Sequence, residues 1–380
     1  MNRGIVAEID LKAISNNLGI IKSLSNNRAV IAVVKANAYG HGAVEVSRKL
    51  VSDGIGLLAV AFTDEAKELR EAGINAPVLV LFDTDIDDIF NYNLIPVITS
   101  KKTAAVISKE AEKTAKRINV HIKVDTGMGR LGITGDAAKE ILEIAGLKGI
   151  HVEGIMSHFS EADLADTSFA RLQIARFGAI QNELYKSGLR VKLFHIANSA
   201  AVLTIPESYF DAVRPGLMLY GYSPSEKSEV RSQKSEVNDS ELLTPNSKLI
   251  PAMSVKARIV AIRKLPPGIP ISYGRTYFTK RDSLIGVISA GYADGFSTGF
   301  SNNAEVLVKG NRVPVVGRVC MDLTMIDLTD VEDITEDDEV VIMGRQGNES
   351  IYASELAQRI NTIPYEILTS LGNKAKKVYI

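Results

Sequence analysis

Between about residue 11 and residue 222 the chain repeats one pattern eight times: a short apolar run, then a longer amphipathic stretch. The runs lie at 30–34, 57–60, 78–81, 94–98, 120–124, 152–156, 191–196 and 212–213. Each is too short for a helix, and most are rich in Val and Ile, as strands buried on both faces are. The stretches between them read as helices, among them 136–145, with Asp136 as its N-cap, and 163–185. Eight β-then-α units in about 200 residues is the arithmetic of a closed (β/α)8 TIM barrel, and it disfavours an open doubly wound sheet.

Beyond about residue 249 the rhythm changes. β-rich runs at 254–262, 283–289, 305–308, 312–319, 323–328 and 339–343, with close turns such as Lys309-Gly310-Asn311, predict a mainly antiparallel β domain. A helix is expected after Ser350, with Leu356 and Ile360 on one face. Ile5, Ala7 and Ile9 alternate with Val6, Glu8 and Asp10, so the first ten residues should add a strand to that domain. The fold class is therefore α/β, an N-terminal barrel over 11–222 and a C-terminal β domain over 249–380 with 1–10. A polar linker at 223–248 joins them; within it Lys227-Ser228-Glu229-Val230 recurs as Lys234-Ser235-Glu236-Val237. Its composition favours a solvated insertion without a function of its own.

Lys+Arg 44 against Asp+Glu 45 leaves a net charge of -1, so no basic bias points to nucleic acid or an anionic membrane. No apolar run approaches the ~18 residues of a membrane span, and acids stand where a signal peptide needs an apolar stretch. The single cysteine, Cys320, cannot form an intrachain disulfide. A cytoplasmic protein with a small-molecule ligand and no metal site is expected.

In a barrel of this kind catalytic side chains stand just beyond the C-terminal ends of the strands. There the sequence places Lys35 and Tyr39, Arg130 in a Gly-rich segment, then His158, Ser199 and Arg214. Such a set suits an anionic, carbonyl-bearing cofactor. Lys35 ends a run of five apolar residues, so burial should lower its pKa and leave more neutral amine to condense with an aldehyde.

These residues also carry a family resemblance. Val33-Val34-Lys35-Ala36-Asn37-Ala38-Tyr39-Gly40-His41-Gly42 resembles the pyridoxal-phosphate lysine motif of alanine racemases, within the fold-type III enzymes. Lys123 to Gly132, His195-Ile196-Ala197-Asn198-Ser199, Ser272-Tyr273-Gly274, Gly291-Tyr292-Ala293-Asp294-Gly295 and Arg318-Val319-Cys320-Met321-Asp322 match further segments of that family, in its order. The resemblance implies pyridoxal 5'-phosphate as cofactor and a homodimer with shared active sites, making D-alanine for peptidoglycan. Lys35 would carry the cofactor and serve as base on one face of the substrate, with Tyr273 of the partner subunit as the second base. Arg214 would meet the pyridine nitrogen and be bonded by His158. Tyr39, Ser199, Tyr365 and the N–H groups of Gly216 and Leu217 would hold the phosphate. Arg130 would address the phenolic oxygen and the substrate carboxylate, beside Lys123, which corresponds to a lysine carbamylated in many members. Tyr292, Met321 and Asp322 would stand on the substrate side, supplied by the partner chain.

Three other readings compete. A pyridoxal-phosphate homeostasis protein has a barrel alone, and the β domain disfavours it. A decarboxylase of the same fold group places an acid at the pyridine nitrogen, where Arg214 stands. A serine or broad-specificity racemase is separated from an alanine enzyme only weakly by sequence.

Overall fold

The computed structural model describes residues 4–224 and 249–380, so all but the first two residues of the expected 223–248 linker lie outside the described residues. The chain divides into two compact units. One comprises Ile14–Ala36 and Ala43–Ile250, the other Met1–Ala13, Asn37–Gly42 and Pro251–Ile380.

The first unit is a barrel. Its strands are Ala29–Val33, Leu57–Val60, Val78–Val80, Ile95–Ile98, Ile118–Lys123, Ile150–Met156, Leu193–His195 and Ala212–Val213. All pair in parallel, with Ala212–Val213 beside Ala29–Val33. Backbone bonds from Asp211 N–H to the Phe194 carbonyl (3.0 Å) and from Arg214 N–H to that of Ala197 (2.8 Å) close the ring. The eight expected runs are the eight strands, because continuous Val/Ile stretches need both faces covered, here by the barrel interior on one side and the helices on the other. The helix at Ala137–Ala145 starts as expected, with the Asp136 carboxylate accepting from Lys139 N–H at 3.2 Å. The helix expected from 163 starts later, at Ser168. Asp166 there accepts the Ser168 N–H instead, a local bond that competes with an earlier helical turn.

The second unit is mainly β. Met253–Leu265 is its spine, antiparallel to Val6–Ile9, Ser283–Ile288 and Glu339–Gln346. The expected N-terminal strand is present, with Ile5, Ala7 and Ile9 buried, and it also pairs in parallel with Lys376–Tyr379. The run expected at 312–319 is strand only over Asn311–Pro314, followed by a single bridge from Val315 to Ile326. Pro314 lacks the N–H that would continue a ladder. The helix after Ser350 is Ala353–Arg359, with Leu356 fully buried and Ile360 at its C-cap.

One local feature departs from sequence expectation. The turn Lys35–Tyr39 has helical hydrogen bonding, yet Ala36, Asn37, Ala38 and Tyr39 have φ of 52°, 55°, 53° and 54°. It is a left-handed turn made of four non-glycine residues. At roughly 1–2 kcal/mol for each L-residue, such a turn persists only where its surroundings over-determine it.

Candidate active site

The barrel strands lead into a ring of cations. Lys35 follows the first strand, Lys123 ends the fifth, Arg130 stands in the loop after it, and Arg214 follows the eighth. The Phe82 ring, just past the third strand, faces three of them: Lys35 Nζ lies 5.2 Å from its centroid, Lys123 Nζ 5.7 Å and the Arg130 guanidinium carbon 5.6 Å. The negative face of an aromatic ring attracts such cations. Sequence reading passed over Phe82; its place immediately after an apolar run was the available signal.

Crowded cations under partial burial must shift their protonation. Burial lowers the Lys35 pKa, Arg130 adds to that, and the Glu65 carboxylate opposes it. Lys123 is only 1% exposed. Burial, then Arg130 and Arg214, draw its pKa from 10.5 down to about 8, against the pull of Asp125. Asp125 also shapes the loop that carries Arg130, accepting N–H bonds from Gly127 (2.8 Å), Met128 (2.7 Å) and Arg130 (3.2 Å).

Arg214 is buried, and burial lowers its pKa to about 9, which leaves it charged at neutral pH. Its guanidinium donates to the carbonyls of His195 (2.8 Å) and Ser157 (2.6 Å). It also donates to Nδ1 of His195 (2.6 Å) and, more weakly, Nδ1 of His158 (3.3 Å). Among the described residues no carboxylate pairs with it. A guanidinium has no acceptor, so both imidazoles must present bare Nδ1 atoms. Burial, with Arg214 next, keeps both histidines well below their usual pKa and therefore neutral. His195 then carries its proton on Nε2 and donates to Nδ1 of His121 at 2.8 Å. His121, drawn down to about 3 by burial, ends the relay with an Nε2 that has no hydrogen-bond partner among the described residues. Sequence reading gave His158 the bond to Arg214; the shorter contact belongs to His195, and His121 extends it into the barrel.

Ser199 opens the helix Ser199–Thr204, whose N-cap Asn198 accepts from Ala201 N–H at 3.0 Å. Its buried hydroxyl accepts N–H bonds from Gly216 (2.9 Å) and Met218 (3.3 Å). Having accepted twice, it has its own proton left to donate. Gly216 and Leu217 sit in the same turn, at the start of the short 3-10 segment Leu217–Tyr220.

The remaining expected residues lie in the second unit. Tyr39 and Tyr365 pack with ring centroids 5.8 Å apart. Tyr273 is 71% exposed and follows Ser272, whose φ of 64° and ψ of -174° are nearly exclusive to glycine. The Ser272 hydroxyl holds this bend by donating to the Arg318 carbonyl at 2.6 Å. Tyr273 and Tyr292 line a cavity of about 550 Å³ with Arg318 and Cys320. Tyr273 also lines one of about 520 Å³ with Met321 and Asp322. The Tyr292 and Met321 segments are tied by Tyr292 N–H to the Cys320 carbonyl (3.0 Å) and Ala293 N–H to that of Met321 (2.9 Å). Gly291 is required there, because a Cβ would lie 2.2 Å from the Met321 carbonyl oxygen. Among the described residues no cluster of His, Cys, Asp and Glu could hold a metal, and no helix is long and apolar enough to cross a membrane.

Comparison with known proteins matches both parts of the chain. Residues 9–224 match the family "Alanine racemase, N-terminal domain" and residues 252–379 match "Alanine racemase, C-terminal domain". The alanine racemase of Thermodesulfovibrio yellowstonii is 50% identical, over 100% of this chain and 99% of its own. The crystal structure of the Bacillus anthracis alanine racemase with bound L-Ala-P is 36% identical with a TM-score of 0.88, covering 100% of this chain and 96% of that one. That of the Bartonella henselae alanine racemase, with covalently bound pyridoxal phosphate, is 29% identical with a TM-score of 0.84, covering 99% of each. With both segments matched on one chain, and a relative this similar from end to end, the chain is an enzyme of the alanine racemase family.

Proposed function

We propose that this enzyme interconverts L- and D-alanine with pyridoxal 5'-phosphate, using Lys35 and the partner subunit's Tyr273 as the two bases. The supporting observation is the charge of the barrel site. Lys35, Lys123, Arg130 and Arg214 gather with no carboxylate on Arg214, a setting that fits an anionic aldehyde and disfavours the decarboxylase reading.

The residues fit the cofactor group by group. Ser199, with its uncommitted proton, and the N–H groups of Gly216 and Leu217 would take the phosphate, with Tyr39 and Tyr365. Arg214, fixed as a donor and held by His195 and His158, would leave a pyridine nitrogen opposite it unprotonated. When bound, pyridoxal phosphate supplies a conjugated system that spreads the electrons left when the Cα proton departs. An unprotonated ring does this less strongly, which limits side reactions and asks more of the two bases.

Lys35, its pKa lowered by burial and Arg130, takes or returns the proton on one face. Tyr273 would act on the opposite face from a second copy of the chain. As a base it would need cationic neighbours that favour the phenolate. Arg130 would bind the substrate carboxylate. Tyr292, Met321 and Asp322 of the partner subunit would bound the substrate and keep the pocket small. Each methylene so refused is worth only ~1–3 kcal/mol, so D/L exchange of alanine, serine and lysine should be measured side by side. Lys123, about half neutral at about pH 8, is available to carbon dioxide; carbamylation would replace a buried cation with an anion beside Arg130.

The family resemblance further supports domain limits of 11–222, 223–248 and 249–380 with 1–10, a homodimer, a cytoplasmic location and D-alanine supply for peptidoglycan. Lys35→Ala tests the central assignment. It should abolish both the absorbance of the lysine-bound cofactor and racemisation; retained racemisation would refute it.

A further inference from the structure

We propose that Glu65 is a positioning residue of this site: its carboxylate clamps the backbone immediately after Lys35 and so aims the lysine amine. The inference rests on the assignment of Lys35 above. Glu65 lies in the first turn of the helix Thr63–Glu71. Oε2 accepts N–H bonds from Ala61 (2.6 Å) and Phe62 (3.3 Å), which fixes the carboxylate to the end of the second barrel strand. Oε1 reaches across to the first strand and accepts the Ala36 N–H at 2.5 Å.

Ala36 is the first residue of the left-handed turn, with φ 52°. A backbone in that region needs outside support, and a charge-assisted bond to its leading N–H is support of the strong kind. The clamp thus acts one peptide from the functional amine, where a shift of an ångström matters most. The same carboxylate has a second effect. Lys35 faces Arg130, Lys123 and His158, and among the groups acting on it Glu65 alone favours the charged amine. Glu65 therefore sets both where the amine points and how readily it gives up a proton, without touching substrate.

The test uses the full-length chain carrying Glu65→Gln, Glu65→Asp or, as a control on the exposed face of the same helix, Glu68→Gln. Hydrogen exchange at the Ala36 amide and the pH dependence of Lys35 acetylation by limiting acetic anhydride, after the cofactor has been stripped, are read by mass spectrometry. Glu65→Gln has one oxygen to serve two sets of donors, so Ala36 exchange should accelerate roughly tenfold or more. Its acetylation midpoint should move to lower pH, because the opposing charge is gone. Glu65→Asp keeps the charge but falls short of Ala36, so it should lose amide protection with a smaller change in midpoint. A merely structural role would leave the Lys35 midpoint unmoved. Unchanged exchange and unchanged midpoint in either folded Glu65 variant overturn the proposal. Failure of the underlying reading is recognised separately, as racemisation surviving Lys35→Ala while both Glu65 effects remain.

Discussion

Lys123→Met tests the charge reading of the barrel site by removing one cation and keeping most of the volume. Lys123 ends the strand Ile118–Lys123 at 1% exposure, and its surroundings draw its pKa from 10.5 to about 8. At 1.36 kcal/mol per pKa unit, the unmodified amine withholds about 3 kcal/mol of folding stability at pH 7. Between about 8 and 10.5 the unfolded chain binds the proton and the folded chain does not, so stability rises with pH through that window. Below about 8 the full penalty stands. Met cannot titrate, and it forfeits only the ammonium–ring contact with Phe82, about 1 kcal/mol. Urea unfolding in carbon dioxide-free buffer should show the variant about 2 kcal/mol more stable at pH 7, with the gap closing towards pH 10. Adding bicarbonate should stabilise the parent chain and not the variant, because a carbamate forms only on the neutral amine of the folded state. A difference between the two chains that stays constant from pH 7 to 10 would refute the assigned pKa. A parent chain indifferent to bicarbonate would refute the carbamate.

Other consequences are equally measurable. Tyr273→Phe should slow proton abstraction from one enantiomer of alanine far more than from the other, read by isotope exchange in each direction; equal and undiminished rates would sink the two-base assignment. Gly154→Ala places a Cβ 2.5 Å from the His121 ring, an overpacking expected to reduce stability by about 1–3 kcal/mol. Because His121 abuts His195 and through it Arg214, that variant should also weaken cofactor retention, measured by dialysis. His121 and His41 are held neutral by burial, at about 3 and about 4, whereas an unfolded histidine protonates near 6.5. Each contribution is intact above pH 6.5 and is lost as pH falls below it, about 2 kcal/mol per residue by pH 5. His121→Gln should therefore flatten the acid limb of the stability curve.

The sequence and the fold agree where side-chain pattern alone decides the outcome. Runs such as Leu57–Val60 and Val78–Val80 have no polar face and must be covered on both sides, as in a barrel ringed by helices, and the places of Lys35, Arg130 and Arg214 then follow from counting to the strand ends. Phe82 and Glu65 were not legible, because an aromatic after a strand and a glutamate in a helix's first turn are ordinary in themselves. Their role depends on which neighbouring strand they face, and register between strands is not written in local composition. The left-handed turn was hidden for a deeper reason. Ala36-Asn37-Ala38-Tyr39 contains good or tolerable helix formers, and helical spacing is nearly the same in either hand. Handedness is decided outside the segment. Asn37 tolerates the left-handed region, but the two alanines and Tyr39 do not choose it, so the turn must be imposed by bonds from elsewhere. The Ala36 N–H to Glu65 is such a bond, and it anchors the residue next to Lys35, the proposed base. In this chain the strained turn begins at the peptide that follows the proposed base, and such a place is where reasoning from local propensity is expected to fail.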